Sequence, residues 1–204
     1  MRSRHSALLL AVPLAGLLCH PACADVTYHH TATQLNDGRV LIAGGTNGTT
    51  PLAAVYIHGS DGEFPAAAPL NVARASHTAT LLPDGRVLVA GGVNGAGTIL
   101  NSAEVFDPVA GNWTLTAANM ANPRTEHTAN LLPNGKILLC GGRSAAAVMA
   151  ASCDLFAPAN TLTPFSPTGS MVQARCAHTA TLLYNGKVFV AGGSTSTVAG
   201  FANS

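Results

Sequence analysis

A repeat of about 50 residues constrains the fold of this chain more than any other feature of its sequence. Four histidines, spaced by 47, 50 and 51 residues, mark the copies, and each is followed at the same distance by a glycine pair. The landmarks are His30 with Gly44-Gly45, His77 with Gly91-Gly92, His127 with Gly141-Gly142, and His178 with Gly192-Gly193. Self-similarity at a fixed period indicates stacked copies of one supersecondary unit, so the chain is predicted to be a repeat protein.

Each copy begins with the pattern of a β-hairpin. In the second copy, residues 77–82 form a β-branched, mostly apolar run, Pro83-Asp84-Gly85 supplies turn residues, and residues 86–90 return to the glycine pair. Proline fixes φ and glycine tolerates positive φ, so we expect Gly85, and Gly135 in the third copy, to hold φ above zero. This pattern predicts the first two strands of a four-stranded sheet.

Two further strands are predicted after each glycine pair. A third strand is expected over residues 103–108, with counterparts at 53–56 and 153–156. A fourth begins near Trp113, and its counterparts are Phe64 in the first copy and Leu162 or Phe165 in the third. Because the strands are apolar on both faces, each sheet needs a neighbour on both sides. Sheets stacked face to face around an axis satisfy that need.

The series R-x-x-H, D-G-R-V, Gly-Gly, Val-Phe-Asp-Pro and Trp resembles the kelch motif, including its bacterial and galactose-oxidase-like variants. The resemblance implies an all-β fold, a partial kelch-type β-propeller with three full four-stranded blades and half of a fourth. The blades are expected at about 25–70, 71–120, 121–171 and, incomplete, 172–204. Propellers typically close with roughly four to eight blades. We therefore expect a truncated coding sequence, a ring completed by another chain through self-association, or an open arc.

The first 24 residues have the pattern of a signal peptide. Arg2 and Arg4 form a positive start, residues 7–18 are apolar, and Ala22-Cys23-Ala24 offers a cleavage site before Asp25. The apolar run is too short to span a bilayer. The expected location is therefore outside the cytoplasm, either secreted or periplasmic.

The charge of the remaining segment excludes two classes of partner. Residues 25–204 carry eight Lys and Arg, which is ten less Arg2 and Arg4, against nine Asp and Glu, a net charge of −1. Nucleic acids and anionic membranes are bound by basic stripes, and this composition offers none. The expected partners are instead a protein or a glycan.

Three cysteines remain after the predicted cleavage: Cys140, Cys153 and Cys176. An oxidising compartment permits one disulfide. Cys140 and Cys153 flank a predicted hairpin and are the favoured pair. The alternative is that all three are small buried residues in positions that alanine would also fill.

Three arginines are the candidate ligand-binding residues: Arg74, Arg124 and Arg175, each three positions before a repeat histidine. The kelch resemblance implies that they lie near the mouth of the central channel, where their planar guanidinium groups would grip carboxylates or other anions. In the alternative, each arginine pairs with an acid of the repeat and holds neighbouring blades together. The candidate acids are Glu104, Glu126 and Asp154.

The repeat histidines are not expected to bind a metal. One per blade places them around an axis, whereas metal ligands must converge to bonds of roughly 2 Å. We expect each ring to be buried and hydrogen-bonded within its own blade.

The sequence predicts no cofactor. The alternative is a copper site at Tyr28 and His29. Copper-radical oxidases similar to galactose oxidase place a Tyr-His pair of ligands just ahead of such a strand. Their site also needs a second histidine and a Cys–Tyr cross-link, and neither Tyr56 nor Tyr184 has an evident cysteine partner.

The sequence supports three functional hypotheses. The first is an exported, non-enzymatic binding or scaffold module that recognises protein or carbohydrate through propeller loops, with no catalytic residues. The second is a fragment or relative of a galactose-oxidase-like copper-radical oxidase. The third is a truncated gene product without independent function.

Overall fold

The computed structural model describes residues 28–59, 62–63, 65–145 and 148–195. Within these ranges the chain forms short β-strands, and no helix is long and apolar enough to cross a membrane. The strands are β1 (Thr31–Gln34), β2 (Val40–Ala43), β3 (Val55–His58), β4 (Thr78–Leu81), β5 (Val87–Ala90), β6 (Ala103–Asp107), β7 (Asn112–Leu115), β8 (Thr128–Leu131), β9 (Ile137–Cys140), β10 (Arg143–Ala145), β11 (Val148–Met149), β12 (Cys153–Phe156), β13 (Phe165–Thr168), β14 (Thr179–Leu182) and β15 (Val188–Ala191).

The hairpin between the first two strands of each repeat forms as predicted. Gly85 has φ of 87° and Gly135 has φ of 77°, which confirms the expected turn conformation. The acidic or amide residue before the glycine closes the turn. In the second repeat Asp84 Oδ1 accepts the backbone N–H of Arg86 at 3.1 Å, and Asn134 Oδ1 accepts that of Lys136 at the same distance.

The repeats fold into successive antiparallel sheets, as expected of blades. The second blade has the strand order β4-β5-β6-β7 and the third β8-β9-β12-β13, with the small β10-β11 hairpin projecting from it. The first blade pairs β1-β2-β3, and a single bridge between Tyr56 and Ala66 stands where a fourth strand would run. Strands β14 and β15 form a half blade. The predicted all-β, partial propeller is confirmed.

The outer strands follow the sequence only in part. Trp113 lies in β7, as predicted for a fourth strand. Of the two candidates in the third repeat, Phe165 begins β13. Leu162 lies in the preceding turn, with 80% of its surface exposed. The third strand of the first blade begins at Val55, two residues later than expected. Phe64 and the predicted signal peptide lie outside the described residues.

The core lies between neighbouring blades. One apolar cluster joins the first two blades and includes Leu41, Val89 and Trp113. A second joins the second and third blades and includes Leu88, Leu139 and Phe156. Burial of both faces of the central strands explains why they are apolar throughout, since apolar area removed from water is the main stabilising term.

One disulfide is present, and it is the favoured pair. Cys140 and Cys153 are directly opposite each other on β9 and β12, with Cα atoms 4.2 Å apart. The bond closes the base of the segment that carries the β10-β11 hairpin. Cys176 is a free, buried thiol.

Candidate functional site

The antiparallel order gives each blade two different ends. The innermost strand of a blade begins at the same end at which the second strand finishes, because the two strands are antiparallel. Every R-x-x-H segment therefore lies beside a Gly-Gly pair at that end. The loops from second to third strands, including the β10-β11 hairpin, also lie at this end. We call it the loop face: residues 28–30 and 46–51, 75–77 and 93–99, 125–127, 143–145 and 148–149, and 176–178 and 194–195.

The Gly-Gly pair of each blade holds the R-x-x-H segment of the next. The backbone N–H of Gly92 donates to the carbonyl of Arg124 at 2.8 Å, and Gly45 and Gly142 make the same bond with the next arginine at 2.9 Å. A Cβ on Gly91 would meet the carbonyl oxygen of Arg124 and lie 2.9 Å from Cε1 of His127. The glycines are required because the following blade occupies the space of a side chain.

The histidine of the R-x-x-H segment completes this joint. His77 Nε2 lies 2.9 Å from the hydroxyl of Thr31, and His127 Nε2 lies 3.0 Å from that of Thr78. Both threonines belong to the preceding blade, so the expectation of a hydrogen bond within the histidine's own blade was wrong. Each ring therefore links the start of its own innermost strand to the first residue of the innermost strand in the preceding blade.

Burial keeps these rings neutral. Desolvation and the adjacent Arg74 lower the pKa of His77 to about 3, and desolvation with Arg124 lowers that of His127 to about 3. The Nδ1 atoms of both rings are buried and have no hydrogen-bond partner among the described residues. A charged ring needs partners for both N–H groups, so the neutral form is favoured.

Arg74 is fully buried in a network inside the second blade. It pairs with Glu104 at 2.8 Å and donates to the carbonyls of Gly91 at 2.9 Å and Ser102 at 3.1 Å. Glu104 in turn accepts the backbone N–H groups of Asn71 and Val72, which fixes the connection between blades. The charges satisfy each other, as buried ions must.

Arg124 repeats this arrangement with Asp154 at 2.5 Å and with the carbonyls of Gly141 and Ser152. Arg175 differs. Its guanidinium donates to the carbonyl of Gly192 at 2.6 Å and to Gln173 at 3.4 Å, and it has no acidic partner among the described residues. Anion binding by the three arginines stays a prediction, and Arg175 is the member with solvent-accessible surface.

A row of strained residues runs along the loop face. The residue before each repeat histidine has positive φ: His29 at 58°, Ser76 at 53°, Glu126 at 56° and Ala177 at 51°. Their backbones are linked from blade to blade, because Ser76 N–H donates to His29 O at 3.0 Å and Ala177 N–H donates to Glu126 O at 2.9 Å. Non-glycine residues in this conformation are uncommon, so their recurrence indicates a fixed geometry imposed by the joint.

A polar cluster on the loop face was missed by sequence reasoning. Arg143 donates to Glu126 through Nε at 3.0 Å and through a terminal nitrogen at 2.8 Å, and both side chains are partly exposed. The buried Cys176 lies against this pair, and burial and Glu126 raise the pKa of its thiol. Glu126 thus pairs with the residue after a Gly-Gly pair and not with a repeat arginine. The departure of Arg143 from the Thr, Val and Ser of the other repeats was the available signal.

Tyr28 and His29 are exposed at the edge of the loop face, and Tyr28 pairs through its backbone with Thr46. No group of three or more His, Cys, Asp or Glu side chains in the described ranges is arranged to hold a metal ion. A copper site at Tyr28 and His29 stays a prediction.

The described residues form a partial β-propeller, and a comparison with family models finds one kelch motif in it. The model of the kelch motif matches residues 74–118, which run from the R-x-x-H segment of the second blade to just beyond β7. The solved structure of YjhT is similar to 82% of this chain, with a TM-score of 0.68 and 12% sequence identity. The match covers 59% of YjhT, and likeness at this identity concerns the fold alone. No curated protein sequence matches the chain.

Proposed function

We propose that this protein is an exported, non-enzymatic binding module that recognises a protein or a carbohydrate through its loop face. The proposal rests on the contrast between the buried residues of the motif and the exposed residues of the loops. The buried arginines and histidines of the motif are engaged in and between blades, whereas the loops above them differ from repeat to repeat and present side chains to solvent.

The β10-β11 hairpin is the most distinctive of these loops. It projects from the third blade above the disulfide, and Val148 at its tip end has 55% of its surface exposed. The Glu126–Arg143 pair lies at its base. A rigid scaffold that presents variable loops is the usual arrangement of a binding surface.

The hairpin offers a direct test of the loop face. The protein is screened against an array of purified oligosaccharides and a display library of extracellular protein domains. We expect Val148→Asp to weaken the strongest interaction at least tenfold, because a charge would have to be desolvated at the contact. Val109→Asp is the matched control, since Val109 is also exposed but lies in a turn at the opposite end. Equal loss in both variants, or no loss in either, would argue against the loop face.

The oxidase hypothesis is tested separately. The protein is loaded with copper and assayed for peroxide release with simple alcohols and sugars. The proposal predicts no turnover above a copper-only control, and turnover that disappears in Tyr28→Phe would establish an enzyme instead.

A further inference from the structure

A groove of about 350 Å³ lies between the outer parts of the second and third blades, away from the loop face. Its volume is in the lower range of small-molecule sites. One wall is formed by β6, β7 and Arg86, and the other by the end of β12 and the turn that follows it, residues 156–164. Blades diverge outwards from a common axis, which opens a wedge at this position.

The strand register shows how the first wall is built. Val105 is opposite Thr114 and Asp107 is opposite Asn112, so these four side chains share one face of the blade. A ligand in the groove therefore meets side chains of the sheet face and not the open backbone edge of β7. This distinguishes the groove from a site where an extended peptide would add as a further strand.

Several polar groups of the groove are already engaged. Asp107 Oδ1 accepts the backbone N–H groups of Val109 and Ala110, and Asn160 Oδ1 accepts those of Leu162 and Thr163. These bonds fix the two turns that border the groove. The site is thus pre-formed, which reduces the entropy lost on binding.

Other groups have no hydrogen-bond partner among the described residues: the amide of Asn112 and the hydroxyls of Thr114 and Thr161. All three are neutral and each both donates and accepts. The charges that border the groove are of opposite sign, with Arg86 held at 2.7 Å by Asp84 and Asp107 beside it. An ion of either sign would meet one unfavourable charge, so the groove favours a neutral ligand.

We propose that this groove is a binding site for an uncharged saccharide. The free amide and hydroxyls match the mixed donors and acceptors of sugar hydroxyls. Val105, on the same face as Thr114, and the ring of Pro158 supply apolar surface for the C–H face of a sugar ring. The site is separate from the loop face and does not depend on it.

The test uses isothermal titration of the full protein with neutral gluco- and manno-oligosaccharides. Acidic galacturonate oligosaccharides and a library of extended peptides are the comparison probes. The test variants are Asn112→Ala and Thr114→Val, and Thr181→Val is the matched control because Thr181 is an exposed strand threonine far from the groove. We expect a neutral oligosaccharide to bind and each test variant to weaken it by several-fold up to about tenfold, the value of one hydrogen bond.

Each other outcome overturns the inference. Binding that neither test variant changes places the sugar elsewhere and leaves the loop-face proposal intact. A preference for galacturonates or peptides contradicts the assigned ligand class, and no binding by any probe contradicts the site. Val148→Asp reports on the loop face independently, so the two proposals fail separately. Circular dichroism of every variant ensures that a loss of binding is not a loss of folding.

Discussion

At the first glycine of the first three Gly-Gly pairs, the absence of a Cβ lets the next blade approach closely. Gly91 and Gly192 have nearly the same φ, 65° and 68°, but different surroundings. A Cβ on Gly91 would collide with the backbone of Arg124, whereas one on Gly192 meets nothing within 4 Å among the described residues. Comparing alanine substitutions at the two positions therefore separates the cost of positive φ from the cost of a collision between blades.

We predict that Gly91→Ala lowers the free energy of unfolding by about 1–3 kcal/mol more than Gly192→Ala does. Both variants carry the cost of positive φ, roughly 1–2 kcal/mol, and Gly91→Ala adds the cost of overpacking. Urea unfolding followed by circular dichroism measures the difference. Equal destabilisation would show that the second and third blades do not meet at this glycine.

The buried histidines predict sensitivity to acid. Their pKa of about 3 in the folded protein lies below the value of about 6.5 expected when the chain is unfolded. The unfolded chain therefore binds more protons between these pH values. The free energy of unfolding is therefore unaffected by these histidines above pH 6.5. Between pH 6.5 and pH 3 it decreases by about 1.4 kcal/mol per pH unit for each buried histidine.

Urea unfolding at pH 7 and pH 5 measures this dependence, and His77→Gln provides the comparison. The variant retains a group able to bond Thr31 but does not titrate. We expect its stability to depend on pH less steeply than that of the unaltered protein. An unchanged slope would mean that His77 is not buried in its neutral form.

At the scale of the strands and their connections, the sequence predicted the hairpins and the third strands because local signals determine them. Asp-Gly and Asn-Gly define the turns, and β-branched runs define the strands. The partner of His77 was not predictable in this way. Thr31 lies 46 residues away, and only the stacking of one blade on the next brings the two together.

The buried ion pairs were predicted only in outline. Glu104 and Asp154 were among the candidate acids, but the sequence did not show that each pair lies within one blade. The pairing of Arg143 with Glu126 was also not predicted. An isolated β-bridge between Thr125 and Arg143 brings the two side chains together, and the sequence does not reveal that bridge. Such pairings depend on register between strands that are distant in sequence.

The Arg74–Glu104 pair is expected to be required for the blade to form. We predict that Glu104→Gln lowers the free energy of unfolding by about 3–5 kcal/mol, because it leaves the Arg74 charge buried without a counterion. Asp84→Asn is the control, since the Arg86–Asp84 pair is exposed and its loss should cost about 0–1 kcal/mol. Thermal unfolding compares the two variants. Similar effects would contradict the buried network.

At the scale of the whole molecule, the half blade leaves an apolar sheet face exposed. Phe189 on β15 occupies the position that Leu88 has on β5, yet 59% of its surface is exposed against 1% for Leu88. Apolar sheet faces of this kind are sites of association. We predict that the protein self-associates through this face.

Light scattering measures the association. We expect a species larger than a monomer, and we expect Phe189→Glu to shift the population towards the monomer. Tyr184→Ser is the control, because Tyr184 is fully exposed in the preceding turn and lies off the sheet face. A well-folded monomer at all accessible concentrations would refute the prediction.

The central claim is that the repeated R-x-x-H and Gly-Gly residues form the joint between consecutive blades. Hydrogen exchange of backbone amides, followed by NMR, tests it most directly. The N–H groups of Gly45, Gly92 and Gly142 each donate to the carbonyl of the next repeat arginine, at 2.8–2.9 Å. We predict that all three exchange as slowly as the amides of the central strands. Exchange as fast as that of Gly48, in an exposed loop, would contradict the joint and the blade arrangement built on it.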